Sequence, residues 1–184
     1  GLRNSVLAHL GRSSMSRTAA GPLQTGAGLV LALAMAATVG AALGFQYIGG
    51  YIPCALCLEE RIPYYVGVPL MLLAFLSGAM KWPPLLTRAL LLAGGLLMTW
   101  GLVMAVYHSG VEWKFWPGPK DCSAAALSAT KTASSLLDNL NAHPPACDTA
   151  AGRFLGLSFA GWNAVASLIL AAVAYVAAFG RTKI

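Results

Sequence analysis

Gly28-Leu-Val-Leu-Ala-Leu-Ala-Met-Ala-Ala37 lies inside a run, residues 18–58, that contains no Asp, Glu, Lys or Arg. Roughly 18 or more apolar residues suffice to cross the hydrocarbon core of a bilayer, so the stretch reads as a transmembrane helix. Further charge-free runs occur at 62–80, 89–107 and 154–180, which predicts four spans near 27–48, 62–80, 86–107 and 159–179. Composition agrees. Of the 184 residues, 58% are hydrophobic and 10% charged, against roughly 45–50% and about 25% in soluble domains. A chain so poor in charge cannot cover itself with polar surface. The expected fold is an all-α membrane protein, a four-transmembrane-helix bundle. This excludes a soluble enzyme, a nucleic-acid reader and a disordered tail.

The connections divide the chain further. The first span is rich in Ala and Gly, as helices that pack closely in lipid tend to be. Pro69 marks a kink in the second span, which neighbouring helices can re-satisfy. Lys81-Trp-Pro-Pro84 is a helix-breaking turn, so spans two and three form an antiparallel hairpin. The expected organisation is an N-terminal segment over 1–24, a membrane domain over 25–180 with loops at 49–61 and 108–158, and a tail over 181–184. In the large loop, 123–140 places Leu127, Leu136, Leu137 and Leu140 at amphipathic spacing; a surface-lying helix and a solvated loop both fit. Gly1 is not a Met and Met15 offers a start, so residues 1–14 are read as an added extension without assigned function.

An even number of spans puts both termini and the 81–85 turn on one side. That side carries Arg3, Arg12, Arg17, Lys81, Arg88, Arg181 and Lys183, and no acid. All six acids (Glu59, Glu60, Glu112, Asp121, Asp138 and Asp148) fall in the other two loops. Positive charge is retained in the cytoplasm, so the termini are expected to be cytoplasmic and both loops periplasmic. The net charge of +6 then sets topology and is not a nucleic-acid footprint. A signal peptide after Arg12 and Arg17 is the competing reading of the first span. Its uncharged run, however, far exceeds the ~7–15 residues of a signal core.

All four cysteines (Cys54, Cys57, Cys122 and Cys147) fall in the two external loops and none in a span. Free cysteine behaves as a small buried hydrophobe, so this sorting points to chemistry in an oxidising compartment. Three pairings are possible. Proximity favours Cys54–Cys57 within Cys-Ala-Leu-Cys, and Cys122–Cys147 closing the large loop. Cys-x-x-Cys is the signature of a redox-active pair, with zinc as its main rival. His108 and His143 leave zinc open, although a second Cys-x-x-Cys or a His pair is missing. Two purely structural disulfides are a further reading. If the segment is helical, Arg61 lies one turn from Cys57 and favours its thiolate; otherwise it is a headgroup anchor.

With these residues the chain resembles the DsbB family of disulfide bond formation proteins, over about residues 25–180. Pro53-Cys-Ala-Leu-Cys-Leu-Glu-Glu-Arg61 is similar to the family's first external loop, where an Arg four residues after the second Cys contacts quinone. Trp116-Pro-Gly-Pro119 resembles the Pro-x-Pro before the family's third cysteine. Phe154-Leu-Gly-Leu157, with Trp162 beyond, is similar to the entry to its fourth span. His108 resembles a His that the family places near the quinone ring. Its spacing to the Pro-x-Pro departs from the family pattern by a couple of residues, and a polar headgroup-level His is the other reading.

The resemblance implies a membrane thiol oxidoreductase of the bacterial inner membrane. Electrons from a periplasmic DsbA-type thioredoxin-like protein would enter at Cys122–Cys147. They would pass to Cys54–Cys57 and on to a quinone, ubiquinone or menaquinone, with Cys57 facing it beside Arg61. The DsbA–DsbB–quinone system is the known means by which the bacterial periplasm is kept oxidising, with DsbA near about −120 mV. Ordinary structural disulfides lie below about −300 mV, a deficit of about 180 mV or about 8 kcal/mol. At least one pair would therefore be strained or thiolate-stabilised. Two alternatives stand beside this: a non-enzymatic four-span scaffold with a disulfide-clipped binding loop, and a vitamin-K-epoxide-reductase-like enzyme. The latter carries its Cys-x-x-Cys in a late span, unlike Cys54–Cys57.

Overall fold

The structure, a computed structural model, describes residues 20–120, 122 and 146–180. The amphipathic stretch read over 123–140 and the terminal segments 1–19 and 181–184 lie outside the described residues. Among the described residues, five helices and one short hairpin follow in order: α1 (Pro22–Tyr47), α2 (Ala55–Glu59), α3 (Ile62–Ala79), α4 (Pro84–Glu112), β1 (Arg153–Phe154), β2 (Leu157–Ser158) and α5 (Phe159–Phe179). Local sequence explains most of the ends. Pro22 and Pro84 open α1 and α4, and Pro63 sits in the first turn of α3, where a missing N–H costs nothing. Two helices stop by the left-handed C-terminal motif, with a lysine where glycine is usual. Lys81 (φ 57°) ends α3 as the Trp82 N–H reaches the Ser77 carbonyl; Lys114 (φ 62°) ends α4 as the Phe115 N–H reaches Gly110.

Among the described residues, four segments are long and apolar enough to cross a membrane: α1, α2 with α3, α4 and α5. They form a four-helix bundle. α4 packs most extensively on α5 and α1 on α3; α3 joins α4, and α1 closes the ring against α5. At the centre lie Met35, Met71 and Met98 with Leu31, Leu91, Ala74 and Ala174, all fully buried or nearly so. The large side chains that face out are apolar, among them Val30, Leu33, Leu96, Val103, Ile169 and Val176. Small residues inside and large apolar ones outside suit a lipid surround. The chain is a multi-pass membrane protein.

The helices depart from the expected spans at two places that matter for the site. The third span was expected to end at 107, with the large loop starting at 108, but α4 runs 29 residues to Glu112. At 1.5 Å per residue that is about 43 Å, well beyond a hydrocarbon core of about 30 Å. Burial sustains the extra turns, because His108, Gly110 and Val111 are all covered. The first loop, expected as a plain connection over 49–61, instead contains α2. Pro69 lies inside α3 without interrupting it.

Close approach of α1 and α3 depends on Gly28. A Cβ there would stand 2.7 Å from the Phe75 backbone nitrogen, which no rotamer change can relieve. Gly28→Val is expected to push the two helices apart and to cost about 1–3 kcal/mol, as overpacking does. Gly26→Ala, with nothing within 4 Å, serves as the control. Thermal melts in detergent that coincide for Gly28→Val and the wild type would show that this contact does not limit the bundle.

Candidate redox site

Pro53 delivers the chain in an extended conformation to Cys54, which caps α2 (φ −76°, ψ 172°). Its sulfur accepts the Cys57 N–H at 3.3 Å, satisfying one of the free donors of the first turn. That turn brings the two sulfurs to 2.6 Å, with both cysteines unbonded to any other. Leu56, 3% exposed, anchors the turn in the protein. Cys54 is buried and Cys57 half-buried. The side-chain hydrogen bond with Cys57 holds the Cys54 thiol below the usual thiol range, against the opposing effect of burial.

Cys122 and Cys147 are joined in a buried disulfide with Cα atoms 6.0 Å apart, the pairing that proximity favoured. The aromatic stretch beyond α4 holds this bridge against the helix end. Trp116 stacks on Tyr107 with ring centres 6.1 Å apart and donates its indole N–H to the Tyr107 carbonyl. The Tyr107 hydroxyl in turn donates to the Pro117 carbonyl at 3.3 Å. Gly110 makes room for this ring: a Cβ there would collide with the Trp116 indole. Lys114 and Asp148, both exposed, pair across the mouth of the loop. The sulfurs of Cys54, Cys122 and Cys147 all lie within 4.8 Å of one another. Cys54 thus stands between the disulfide and Cys57.

On its other side Cys57 opens onto a cavity of about 330 Å³. Phe45, Tyr51, Phe159 and Trp162 give it aromatic walls; Arg61, Gln46, Glu60 and Asn163 supply polar groups. Such a lining, largely apolar with a few convergent polar groups, suits a flat carbonyl-bearing ring, and the volume is at the small end of ligand sites (about 300–1,000 Å³). Arg61 does not extend the short helix that carries Cys57, the condition on which the sequence placed it one turn away. α2 stops at Glu59, and the Arg61 N–H bonds the Leu58 carbonyl three residues back, so Arg61 caps α3 instead. Its guanidinium donates to the Gln46 side-chain oxygen Oε1 at 2.5 Å. Arg61 and Cys57 nevertheless line the same cavity.

For His108 the sequence left two readings, a place near a quinone ring and a polar residue at headgroup level; it does not line this cavity. It lies behind the thiols, 2% exposed, with Nε2 3.6 Å from the Cys54 sulfur and Nδ1 2.7 Å from Glu60 Oε1. The extra turns of α4 put it there. Glu60 accepts a second bond from the Asn163 amide at 2.9 Å, and Tyr64 donates its hydroxyl to Asn163 Oδ1 at 2.6 Å. Cys54, Cys57 and His108 bring three potential donors within 4.8 Å, where a structural zinc takes four.

Four polar residues of the site were not singled out from the sequence: Gln46, Glu60, Glu112 and Asn163. Gln46 and Asn163 were findable as isolated amides in apolar runs, where an unpaired polar group is costly. Nothing in Glu59-Glu60 tells which carboxylate turns inward.

The sequence profile of the family described as "Disulfide bond formation protein DsbB" matches residues 24–177. No curated protein and no solved structure matches the chain.

Proposed function

From a chain that belongs to the DsbB family of disulfide bond formation proteins, we propose a quinone-dependent thiol oxidase that reoxidises a periplasmic DsbA-type dithiol protein. One observation carries this reading: Cys54 lies within 4.8 Å of both disulfide sulfurs and 2.6 Å from Cys57, which opens onto the Arg61 cavity. That chain of sulfurs supports a relay by thiol–disulfide exchange, in which a thiolate attacks a disulfide and releases another thiolate. The partner's thiolate attacks Cys122, forming a mixed disulfide and releasing Cys147. Cys147 attacks Cys54 of the oxidised Cys54–Cys57 pair and releases Cys57. The partner's second thiolate then closes its own disulfide and frees Cys122. Cys122 returns to Cys147 and releases Cys54.

The net result is one disulfide formed in the partner and one dithiol left at Cys54–Cys57. A quinone, ubiquinone or menaquinone, supplies a sink for the two electrons and two protons that must leave that dithiol. Arg61 and Gln46 would hold it, since the guanidinium donates readily to a carbonyl on which negative charge develops. Mixing purified protein, quinone and a reduced DsbA-type protein is expected to consume quinone absorbance at the rate of partner oxidation. Partner oxidation that proceeds equally well without quinone would overturn the reading.

The proposed site is the bacterial inner membrane, with termini cytoplasmic and both cysteine loops periplasmic, on the seven-to-zero split of basic and acidic residues. An impermeant thiol reagent is expected to label Cys122 and Cys147 in intact, reduced spheroplasts. Labelling that needs membrane disruption would reverse this orientation.

A further inference from the structure

Among the described residues, Glu112 Oε2 is the buried side-chain oxygen that has no hydrogen-bond partner. The Glu112 side chain is 4% exposed, and its other oxygen lies 3.8 Å from His108 Nε2, one helical turn back. A buried carboxylate oxygen left without a hydrogen bond is costly, so its place near a histidine that faces a thiol calls for a chemical account. We propose that Glu112 is a positioning residue for thiol deprotonation: it steadies the imidazolium that forms when His108 takes the proton of Cys54.

The geometry sets the direction of transfer. His108 Nδ1 is 2.7 Å from Glu60 Oε1, and a carboxylate there accepts the Nδ1 proton. Nε2 is then the acceptor nitrogen, and it faces the Cys54 sulfur at 3.6 Å. Moving the Cys54 proton to Nε2 creates an imidazolium with Glu60 on one nitrogen and Glu112 near the other. One carboxylate alone would be shared, because Asn163 already draws on Glu60 through Oε2. Glu112 supplies the second charge, much as a carboxylate supports the histidine of a catalytic triad. The groups facing the His108–Glu112 pair are Cys54 and Cys57 from α2 and Glu60 from the turn; Tyr64 of α3 joins through Asn163. Lys114, two residues past Glu112, is engaged by Asp148.

The proton has to go somewhere. Closing Cys54–Cys57 forms one S–S bond and breaks two S–H bonds, sending two electrons and two protons towards the quinone of the proposed reaction, on which this inference rests. Cys57 opens to the cavity, but Cys54 is 5% exposed and has His108 as its neighbour. The two thiols therefore need different routes for their protons.

The test uses the whole chain, purified in detergent and fully reduced, with no quinone and no partner protein. Iodoacetamide alkylation of Cys54 and of Cys57 is followed by peptide mass spectrometry across pH. Glu112→Gln keeps the shape and removes the charge. It is expected to slow Cys54 alkylation at neutral pH about tenfold and to displace the profile upward by about one pH unit. Glu112→Asp is expected to recover most of the rate. A Glu112→Gln profile that superimposes on the wild type overturns the inference. So does an equal loss in both variants together with lower melting temperatures, which marks a structural role. A wild-type protein that fails to reduce quinone would sink the proposed function and leave these alkylation profiles readable.

Discussion

Cys122→Ser or Cys147→Ser is expected to reduce partner oxidation to background while the Cys54–Cys57 pair still reduces quinone. The physical reason is the order of the sulfurs. Cys57 opens onto a cavity walled by aromatic side chains, which suits a small flat acceptor, and Cys54 lies between it and the bridge. The Cys122–Cys147 bridge, itself buried, is at the other end of the sulfur chain and lines a separate surface pocket with the exposed Phe115. Loss of this bridge also removes a loop constraint worth about 3 kcal/mol, so failure to fold has to be separated from failure to relay. A small dithiol as donor makes that separation, because it can reach Cys54–Cys57 directly. The expected result is quinone reduction with the small dithiol and none with the protein partner. Partner oxidation at the wild-type rate in either variant would refute the two-pair relay.

Arg61→Ala is expected to raise the KM for quinone and to lower kcat/KM by roughly tenfold to a hundredfold. Hydrogen bonds from charged donors are worth about 1.5–3 kcal/mol, and each 1.4 kcal/mol is about tenfold. Arg61 is the one basic residue of the first external loop, so no neighbour in that loop replaces its charge. Its guanidinium donates to the Gln46 side-chain oxygen Oε1 at 2.5 Å, and it lines the same cavity as Cys57. Arg61→Lys is expected to recover only part of the loss, since a point charge replaces a planar fork. Initial rates against quinone concentration, in protein whose four cysteines and melting temperature are unchanged, decide the matter. An Arg61→Ala protein with wild-type kinetics would leave Arg61 as a headgroup anchor.

Much of this architecture is legible in residue order alone. Four charge-free runs specify four spans because an unpaired charge in hydrocarbon is costly wherever it falls, a rule that needs no knowledge of neighbours. Pro22, Pro84 and the Lys81-Trp-Pro-Pro84 turn mark helix ends for equally local reasons. Cys-Ala-Leu-Cys announces its own contact, since one turn from a capping Cys54 returns the chain to Cys57. The family itself was readable from the same motifs.

Side-chain direction was not legible, and the site depends on it. The sequence places Arg61 four residues after Cys57, but the turn at Glu60–Arg61 breaks that helical register and sends the guanidinium to Gln46, 15 residues away. His108 stands outside the cavity because burial of Val111 and Gly110 carries α4 past the point where hydropathy alone would end it. Glu60 and Glu112 converge on that histidine from segments 52 residues apart in the chain, on the numbers of the two acids. Local order determines which segments enter the membrane, because transfer free energy is a sum over residues. Packing decides which polar groups meet, because a hydrogen bond depends on the distance and angle that only the folded bundle imposes.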